Sequence, residues 1–252
     1  MRRVVLALIG IFSFVLALEA QASEGELKKI TLEDVESFLS PKSDVNNTTT
    51  TLDNLNKVLG HLSSRQEQYK NEDDFIDYLY YYTHRKLLKR YTKYPSIEET
   101  LLYGDYDCLT ATAVYSLILE ELNINHAIVE TTYHIYILVN PDTPREILIE
   151  STDPRNGLLV NKDDIREAKS TYSKASSASG KALIDFGLVI ERKLLDKELI
   201  GLLYYNQSIR ALNNGNWREA QNFAYAALQY YPNERVTLLI NTLESSYSAT
   251  SL

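Results

Sequence analysis

Apolar residues recur at helical spacing between residues 52 and 93, which predicts two helices separated by the charged stretch 66–74. The apolar positions are Leu52, Leu55, Val58, Leu59 and Leu62 in the first helix and Phe75, Tyr78, Leu79, Tyr82, Leu87 and Leu88 in the second. Residues with this spacing lie on one face of an α-helix and pack against a core. The preceding run of Asn and Thr at 46–51 predicts a linker or loop.

The middle of the chain predicts a helix followed by three strands. A short helix at Ile97–Leu102 and a Gly-Asp break precede a helix from Cys108 to about Leu122. The strand candidates are Asn125–Glu130, Thr132–Val139 and Glu146–Glu150, with a Pro-Asp-Thr-Pro turn before the last. A helix followed by consecutive antiparallel strands is typical of the α+β class rather than of alternating βαβ units.

The remainder of the chain is predicted to be mostly helical. Residues Lys169–Lys181 are rich in Ser and Ala and predict a surface loop or a mobile connection over a site. Helical periodicity then extends from Leu194 nearly to the last residue. The expected divisions are a signal peptide at 1–22, a polar segment at 23–51, a main domain at 52–194 and a helical region at 195–252.

The first 22 residues have the parts of a secretory signal peptide. Arg2 and Arg3 form a basic region, an uncharged run extends from Val4 to Leu18, and small residues precede a cleavage point after Ala22. The uncharged run is shorter than the roughly 20 residues that span a bilayer, so we expect cleavage, with an uncleaved anchor as the alternative. The sequence therefore predicts an exported protein, periplasmic or secreted, without stable membrane insertion after cleavage.

Composition narrows the classes of partner and cofactor. The chain has 26 basic and 34 acidic residues, a formal net charge of −8 and no basic block, which argues against nucleic acid as a partner. The four histidines include no close-spaced ligand pair, there is a single cysteine, and no glycine-rich phosphate loop is present. We therefore expect neither a metal nor a cofactor.

The single cysteine, Cys108, is the strongest candidate for chemistry. Exported proteins use cysteine mainly in disulfides, and one cysteine cannot pair within its own chain. Cys108 follows a Gly/Asp turn and begins an apolar helix, and a helix N-terminus favours a thiolate. A buried cysteine that only fills core space is the alternative.

A base and an acid follow the cysteine in the order that nucleophilic catalysis requires. His134 lies on the second predicted strand, where strand alternation places it on the same face as Tyr136. Glu150 ends the third strand and lies beside His134 if the two strands form a hairpin; Asp153, just past the strand, is the alternative acid. The competing base is His126, on the first strand.

Short motifs around these residues occur in the order found in a known family. They are Gly104-Asp105-Tyr106-Asp107-Cys108, Leu122-Asn123-Ile124, His134-Ile135-Tyr136-Ile137, Glu150-Ser151-Thr152 and Asp153-Pro154. In these motifs residues 75–160 resemble the transglutaminase-like superfamily of papain-type thiol enzymes. The resemblance implies a Cys-bearing helix packed on an antiparallel sheet. The chain departs from the family in lacking tryptophan after the histidine, where many members have His-Ala-Trp.

The resemblance also implies a mechanism. Cys108 attacks an amide or ester carbonyl, His134 transfers the proton, and Glu150 or Asp153 orients His134. The N–H of Cys108 would stabilise the oxyanion, with Tyr103 or Tyr106 as the candidate second donor.

These expectations describe an exported cysteine-dependent hydrolase or acyltransferase that acts on a peptide or protein substrate. Transfer of the acyl group to water would make it a peptidase or amidase, and transfer to an amine would make it transglutaminase-like. The alternative is a non-catalytic protein that keeps the fold and binds a peptide or wall fragment.

Residues Gly201–Glu234 resemble a single tetratricopeptide repeat. Counted back from Pro232, the expected small and aromatic positions hold Ser208, Gly215, Trp217, Ala220 and Ala227. One repeat is too small to be stable alone, so a following helix at Val236–Tyr247 is expected to cover its apolar face. We expect the repeat to dock on the thiol domain, with recruitment of a protein partner as the alternative.

Overall fold

The structure, a computed structural model, describes residues 45–174 and 190–250 and has an α+β fold. In these residues there are eight helices: α1 (Val45–Gln66), α2 (Glu72–Leu87), α3 (Ile97–Tyr103), α4 (Cys108–Glu121), α5 (Lys162–Lys174), α6 (Asp196–Asn213), α7 (Trp217–Tyr230) and α8 (Glu234–Thr250). The strands are β1 (Arg90–Tyr91), β2 (Asp105–Tyr106), β3 (His126–Thr131), β4 (Ile135–Val139), β5 (Ile147–Ile149), β6 (Leu158–Leu159) and β7 (Glu191–Lys193). The proposed signal peptide lies outside the described residues.

The central helix α4 is capped at its start and buried along most of its length. The Asp107 side chain accepts a hydrogen bond from the Thr110 N–H, and the Thr110 hydroxyl accepts one from the Asp107 N–H, which forms a capping box. Every residue from Leu109 to Leu119 is buried. Such a helix is stabilised by apolar burial on all sides, and its cap fixes where it begins.

The main sheet has five antiparallel strands in the order β6-β5-β4-β3-β7. The three central strands overlap the segments that alternation predicted, but β3 ends at Thr131 rather than Glu130 and β4 begins at Ile135 rather than Thr132. His134 therefore lies in the turn that precedes β4 and not on the strand where alternation had placed it.

The side chains of the central strands separate into two layers. Ile135, Ile137 and Ile149 belong to the large core that includes α4, whereas Tyr136 and Leu148 face α5.

Two other segments differ from the sequence-based expectations. The Asn/Thr run at 46–51 is not a loop but the beginning of α1, where Thr51 is fully buried. Residues 169–174 are not a mobile connection but the last turns of α5; the rest of that predicted connection, residues 175–181, lies outside the described residues. In both cases tertiary packing outweighs weak local helix propensity.

The C-terminal helices pack closely against each other and against the sheet. Ala220 and Ala227 are fully buried between helices, as their small size predicted, but Trp217 is 44% exposed and does not cap the contact as expected. A Cβ at Gly201 would lie 2.3 Å from the Cβ of Tyr231, so only glycine allows this approach. The close contact brings Tyr231 to the sheet, where it is fully buried.

A buried histidine lies beneath the α3–α4 connection. His84 is 8% exposed, and its ring meets that of Tyr106 edge-on with 5.5 Å between centroids. Among the described residues its Nε2 has no hydrogen-bond partner. Burial lowers the pKa of His84 below its ordinary value of 6.5. The folded protein therefore resists protonation of this side chain.

No helix in residues 45–174 or 190–250 combines the length and apolarity that a membrane crossing requires.

We expect Gly201→Ala to lower the free energy of unfolding by about 1–3 kcal/mol, because the added methyl group overpacks the contact with Tyr231. Gly60→Ala is the matched control: Gly60 lies within α1 with no atom near its missing Cβ, so it should raise stability by up to about 1 kcal/mol. Urea unfolding measures both. Equal effects of the two substitutions would contradict close packing at Gly201.

We expect the free energy of unfolding to fall as the pH drops from 7 to 5, in part because of His84. The unfolded chain binds a proton near pH 6.5, whereas the folded pKa of His84 is lower, so stability is lost as the pH falls below 6.5. His84→Phe keeps an aromatic ring against Tyr106 and cannot titrate. Urea unfolding across this pH range should give the variant a shallower decline, and identical slopes would refute the assignment.

Candidate active site

The predicted base and acid meet at one end of the sheet. β4 and β5 pair with Ile137 opposite Ile149, so continuing the register by one pair sets Tyr136 opposite Glu150, two residues from His134. His134 Nε2–H donates a hydrogen bond to Glu150 Oε2. With Nε2 bound to the carboxylate, Nδ1 is the ring nitrogen left for proton transfer.

Short-range contacts keep Glu150 charged and oriented. Its Oε1 accepts hydrogen bonds from the Thr152 N–H at 3.0 Å and from the Thr152 hydroxyl at 2.5 Å. Burial opposes ionisation of the carboxyl, but the hydrogen bonds from His134 and Thr152 outweigh it and lower the pKa of Glu150. A buried carboxylate in this state can hold an imidazole in one orientation.

The turn that carries Glu150 is held from beneath by Tyr80, a residue of α2. The Tyr80 hydroxyl donates to the backbone oxygen of Glu150 at 3.2 Å and also to that of Asp153. Gly157 closes the turn, and a Cβ there would lie 2.2 Å from the Glu150 oxygen. Glu150 is therefore positioned by the side chain of Tyr80, which is distant in sequence, and by Gly157, where any larger residue would collide with the turn.

Asp153, the alternative acid, has a different role in this geometry. Its carboxylate accepts hydrogen bonds from the N–H groups of Arg155 and Asn156, each at 3.0 Å. These bonds lower the pKa of Asp153 and stabilise the turn. Glu150, rather than Asp153, contacts His134.

Aromatic rings surround the imidazole on the α5 side of the sheet. The Tyr172 ring centroid lies 4.5 Å from that of His134, and Tyr136 stacks on the same ring at 6.4 Å. Sequence analysis missed Tyr172 because its segment was assigned to a connection. The spacing of Ile165, Ala168 and Tyr172, which face the sheet together, was the available signal.

Cys108 lies at the same end of the sheet, against the core on the α4 side. The Ser151 hydroxyl donates to the backbone oxygen of Cys108 at 3.3 Å, which ties the start of α4 to the residue after Glu150. The cysteine side chain is half-buried. As the first residue of α4, Cys108 has an N–H with no acceptor within the helix, so this group can donate to a bound oxyanion.

The electrostatic environment of Cys108 differs from the one that its helix position predicted. Burial and the negative charges of Asp107 and Glu150 raise the pKa of the thiol. Among the described residues, no hydrogen bond joins Cys108 Sγ to an imidazole. A neutral resting thiol is favoured, so Cys108 needs a base to become a nucleophile.

His126, the competing base, is held by hydrogen bonds within the fold. His126 Nε2 lies 2.8 Å from the Ser116 hydroxyl and its Nδ1 lies 3.0 Å from the Ile124 oxygen, so both ring nitrogens have partners. Tyr106 is buried, whereas Tyr103 is 65% exposed. Within residues 45–174 and 190–250, no group of three or more His, Cys, Asp or Glu side chains is arranged to hold a metal ion.

Comparisons of the chain with protein-family models, curated proteins and solved structures find no match.

We expect Asp107→Asn to lower the pKa of the Cys108 thiol and thereby to accelerate its alkylation by iodoacetamide at pH 7.5 by about threefold or more. Each unit by which the thiol pKa falls raises the thiolate fraction about tenfold. The substitution removes the adjacent negative charge, and asparagine still caps a helix. Asp105→Asn is the matched control, since Asp105 pairs with Arg90 rather than with the thiol region. An unchanged or lower rate for Asp107→Asn would contradict this electrostatic effect.

Proposed function

We propose that the protein is a cysteine-dependent acyl-transfer enzyme of the transglutaminase-like, papain-type class. The observation that carries the proposal is the hydrogen-bonded pair of His134 and a charged Glu150, next to the segment that begins the Cys108 helix. A structural histidine needs no buried ionised partner, whereas a general base is oriented by one. Support also comes from the motif order, which gives each residue the same role.

The proposed reaction begins when His134 Nδ1 removes the thiol proton and Cys108 Sγ attacks the carbonyl carbon of an amide or ester. The Cys108 N–H stabilises the oxyanion, and His134 returns the proton to the departing amine or alcohol. The product of this half-reaction is a thioester on Cys108. Water or a second amine then attacks the thioester with the same base and releases the thiol.

We infer that resting and reacting states differ in the position of the thiol proton. The raised pKa of Cys108 favours a neutral thiol before substrate binds, and proton transfer to His134 accompanies attack. Because Cys108 lies on the α4 side of this end of the sheet and the His134 ring on the α5 side, the proposed attack requires the thiol or the imidazole to move past the end of the sheet. Catalytic contacts in enzymes without ligand are often long and shorten when substrate is bound.

A second candidate function is binding of a peptide or wall fragment without turnover. Two observations favour it: the raised pKa of Cys108, and the absence of a hydrogen bond between its Sγ and His134 in the described residues. Under this function the pair of His134 and Glu150 stabilises the sheet end and the half-buried thiol fills space beside the core.

We propose export to the periplasm or the exterior, supported by the signal-peptide pattern of residues 1–22.

We expect p-nitrophenyl acetate, an activated acyl donor, to acetylate Cys108 with release of p-nitrophenol. His134→Ala should slow acetylation by about 100-fold, the usual contribution of a positioned general base, and Glu150→Gln should slow it less. Stopped-flow absorbance and intact mass measure the reaction, with Cys108→Ser as the blank.

His126→Ala is the matched control, because His126 is hydrogen-bonded away from the thiol and should leave the acetylation rate near that of the wild type. The enzyme function is refuted if Cys108 in the folded wild type reacts no faster than in the urea-unfolded chain and is insensitive to His134→Ala. That outcome supports the binding function.

A further inference from the structure

The C-terminal helices contact the segment that leads into the candidate nucleophile. From α6, Asn206 Nδ2 donates to Asp107 Oδ2 at 3.3 Å, and Gln207 Nε2 donates to the Pro95 oxygen at 3.0 Å. Asp107 immediately precedes Cys108 and caps its helix. Helix α6 therefore contacts the residue that caps the start of α4 and restrains it.

The same helical unit contacts the segment that leads into the candidate base. One guanidinium nitrogen of Arg235, a residue of α8, lies 3.0 Å from Glu130 Oε1. The other donates a hydrogen bond to the Thr132 oxygen at 3.1 Å. Tyr231, which lies between α7 and α8, donates to both Glu130 oxygens at 2.8 and 2.9 Å. Thr132 lies two residues before His134.

The short β3–β4 connection links Thr132 to the backbone of His134. The Thr131 N–H donates to the His134 oxygen at 2.8 Å, and the His134 N–H donates to the Thr131 hydroxyl at 3.1 Å. These bonds close a tight turn around Thr132. A bond that fixes the Thr132 oxygen therefore restrains the backbone that carries the His134 ring.

Burial makes the Arg235 contact structurally costly to break. The side chains of Glu130 and Arg235 are only 3% and 14% exposed, and Arg192 lies 3.6 Å from the same carboxylate. The Arg235 guanidinium also lies over the Tyr205 ring at 5.6 Å. Leaving a buried charge without its partner is strongly unfavourable, so the guanidinium group of Arg235 is held in place between α6 and the sheet.

We propose that Arg235 is a positioning residue for His134, and that α6–α8 belong to the catalytic unit rather than forming a partner-recruiting appendage. The inference rests on the proposed function. One arm of the guanidinium neutralises Glu130, and the other fixes the turn that carries the base. Lysine can supply the charge but lacks the planar fork that reaches both oxygens.

The test is Arg235→Lys, which keeps the positive charge beside Glu130 and removes the second arm to Thr132. We expect its acetylation by p-nitrophenyl acetate to slow by about 10- to 100-fold, the scale of a misplaced catalytic group. In the Arg235→Lys background, adding His134→Ala should cause a clearly smaller loss than the roughly 100-fold loss that it causes in the wild type. Amide exchange at His134, measured by NMR, should accelerate in the same variant whether or not the enzyme turns over substrate.

Two matched variants distinguish positioning of His134 from a general loss of stability. Tyr231→Phe disturbs the same buried Glu130 but leaves the bond from Arg235 to Thr132 intact, so it should lower stability while the His134→Ala effect persists. Arg218→Lys changes an exposed arginine on α7 and should have no effect. If Arg235→Lys does not fold, the double variant Glu130→Gln with Arg235→Gln removes both charges together and should show the same rate loss.

Failure of each proposal has its own signature. If His134→Ala leaves the wild-type rate unchanged, the proposed function fails, whatever Arg235 does. If His134→Ala slows the wild type but Arg235→Lys retains both the rate and the full His134→Ala effect, the positioning role is overturned. Equal behaviour of Arg235→Lys and Tyr231→Phe also overturns it, because a purely structural cluster predicts that result.

Discussion

Capping of the buried helix α4 by Asp107 is the constraint on which the arrangement of the site depends. The carboxylate is itself buried, accepts the Thr110 N–H and is reached by Asn206 from α6. Burial raises the pKa of Asp107, while bonds from backbone N–H groups oppose that rise. The same acid that fixes the first turn of the helix places negative charge next to Cys108. Placement of Cys108 at this capped helix start is thus accompanied by a raised pKa of its thiol.

The local geometry around the site follows from patterns visible in the sequence. The helix that begins at Cys108 and the three central strands could be predicted because a strong break precedes a strongly apolar segment and because apolar residues then alternate. Hairpin pairing made Glu150 a candidate neighbour of His134. The choice between Glu150 and Asp153 could not be made from spacing alone, since it depends on a turn closed by Gly157 and Tyr80.

Other parts of the site required tertiary information. Tyr172 approaches His134 from a helix whose sequence is dominated by charged and small residues, so its contribution to the sheet face was not recognised. The thiol pKa could not be predicted either, because the helix N-terminus and the two nearby carboxylates act in opposite directions. Their balance depends on burial, which spacing along the chain does not report. Contacts of Arg235 with Glu130 and Thr132 join residues more than a hundred positions apart.

Those long separations also bear on the order in which the protein is made. Cys108 and His134 are synthesised before the side chains at 206, 231 and 235 that restrain their segments. A nascent chain that contains only the earlier residues has the thiol and the imidazole but not the contacts that restrain the backbone near them. Contacts of such large sequence separation form late, because the intervening chain must first be ordered. The geometry of the candidate site is thereby coupled to completion of the helices, because a partly synthesised chain lacks the contacts that restrain the segments of Cys108 and His134.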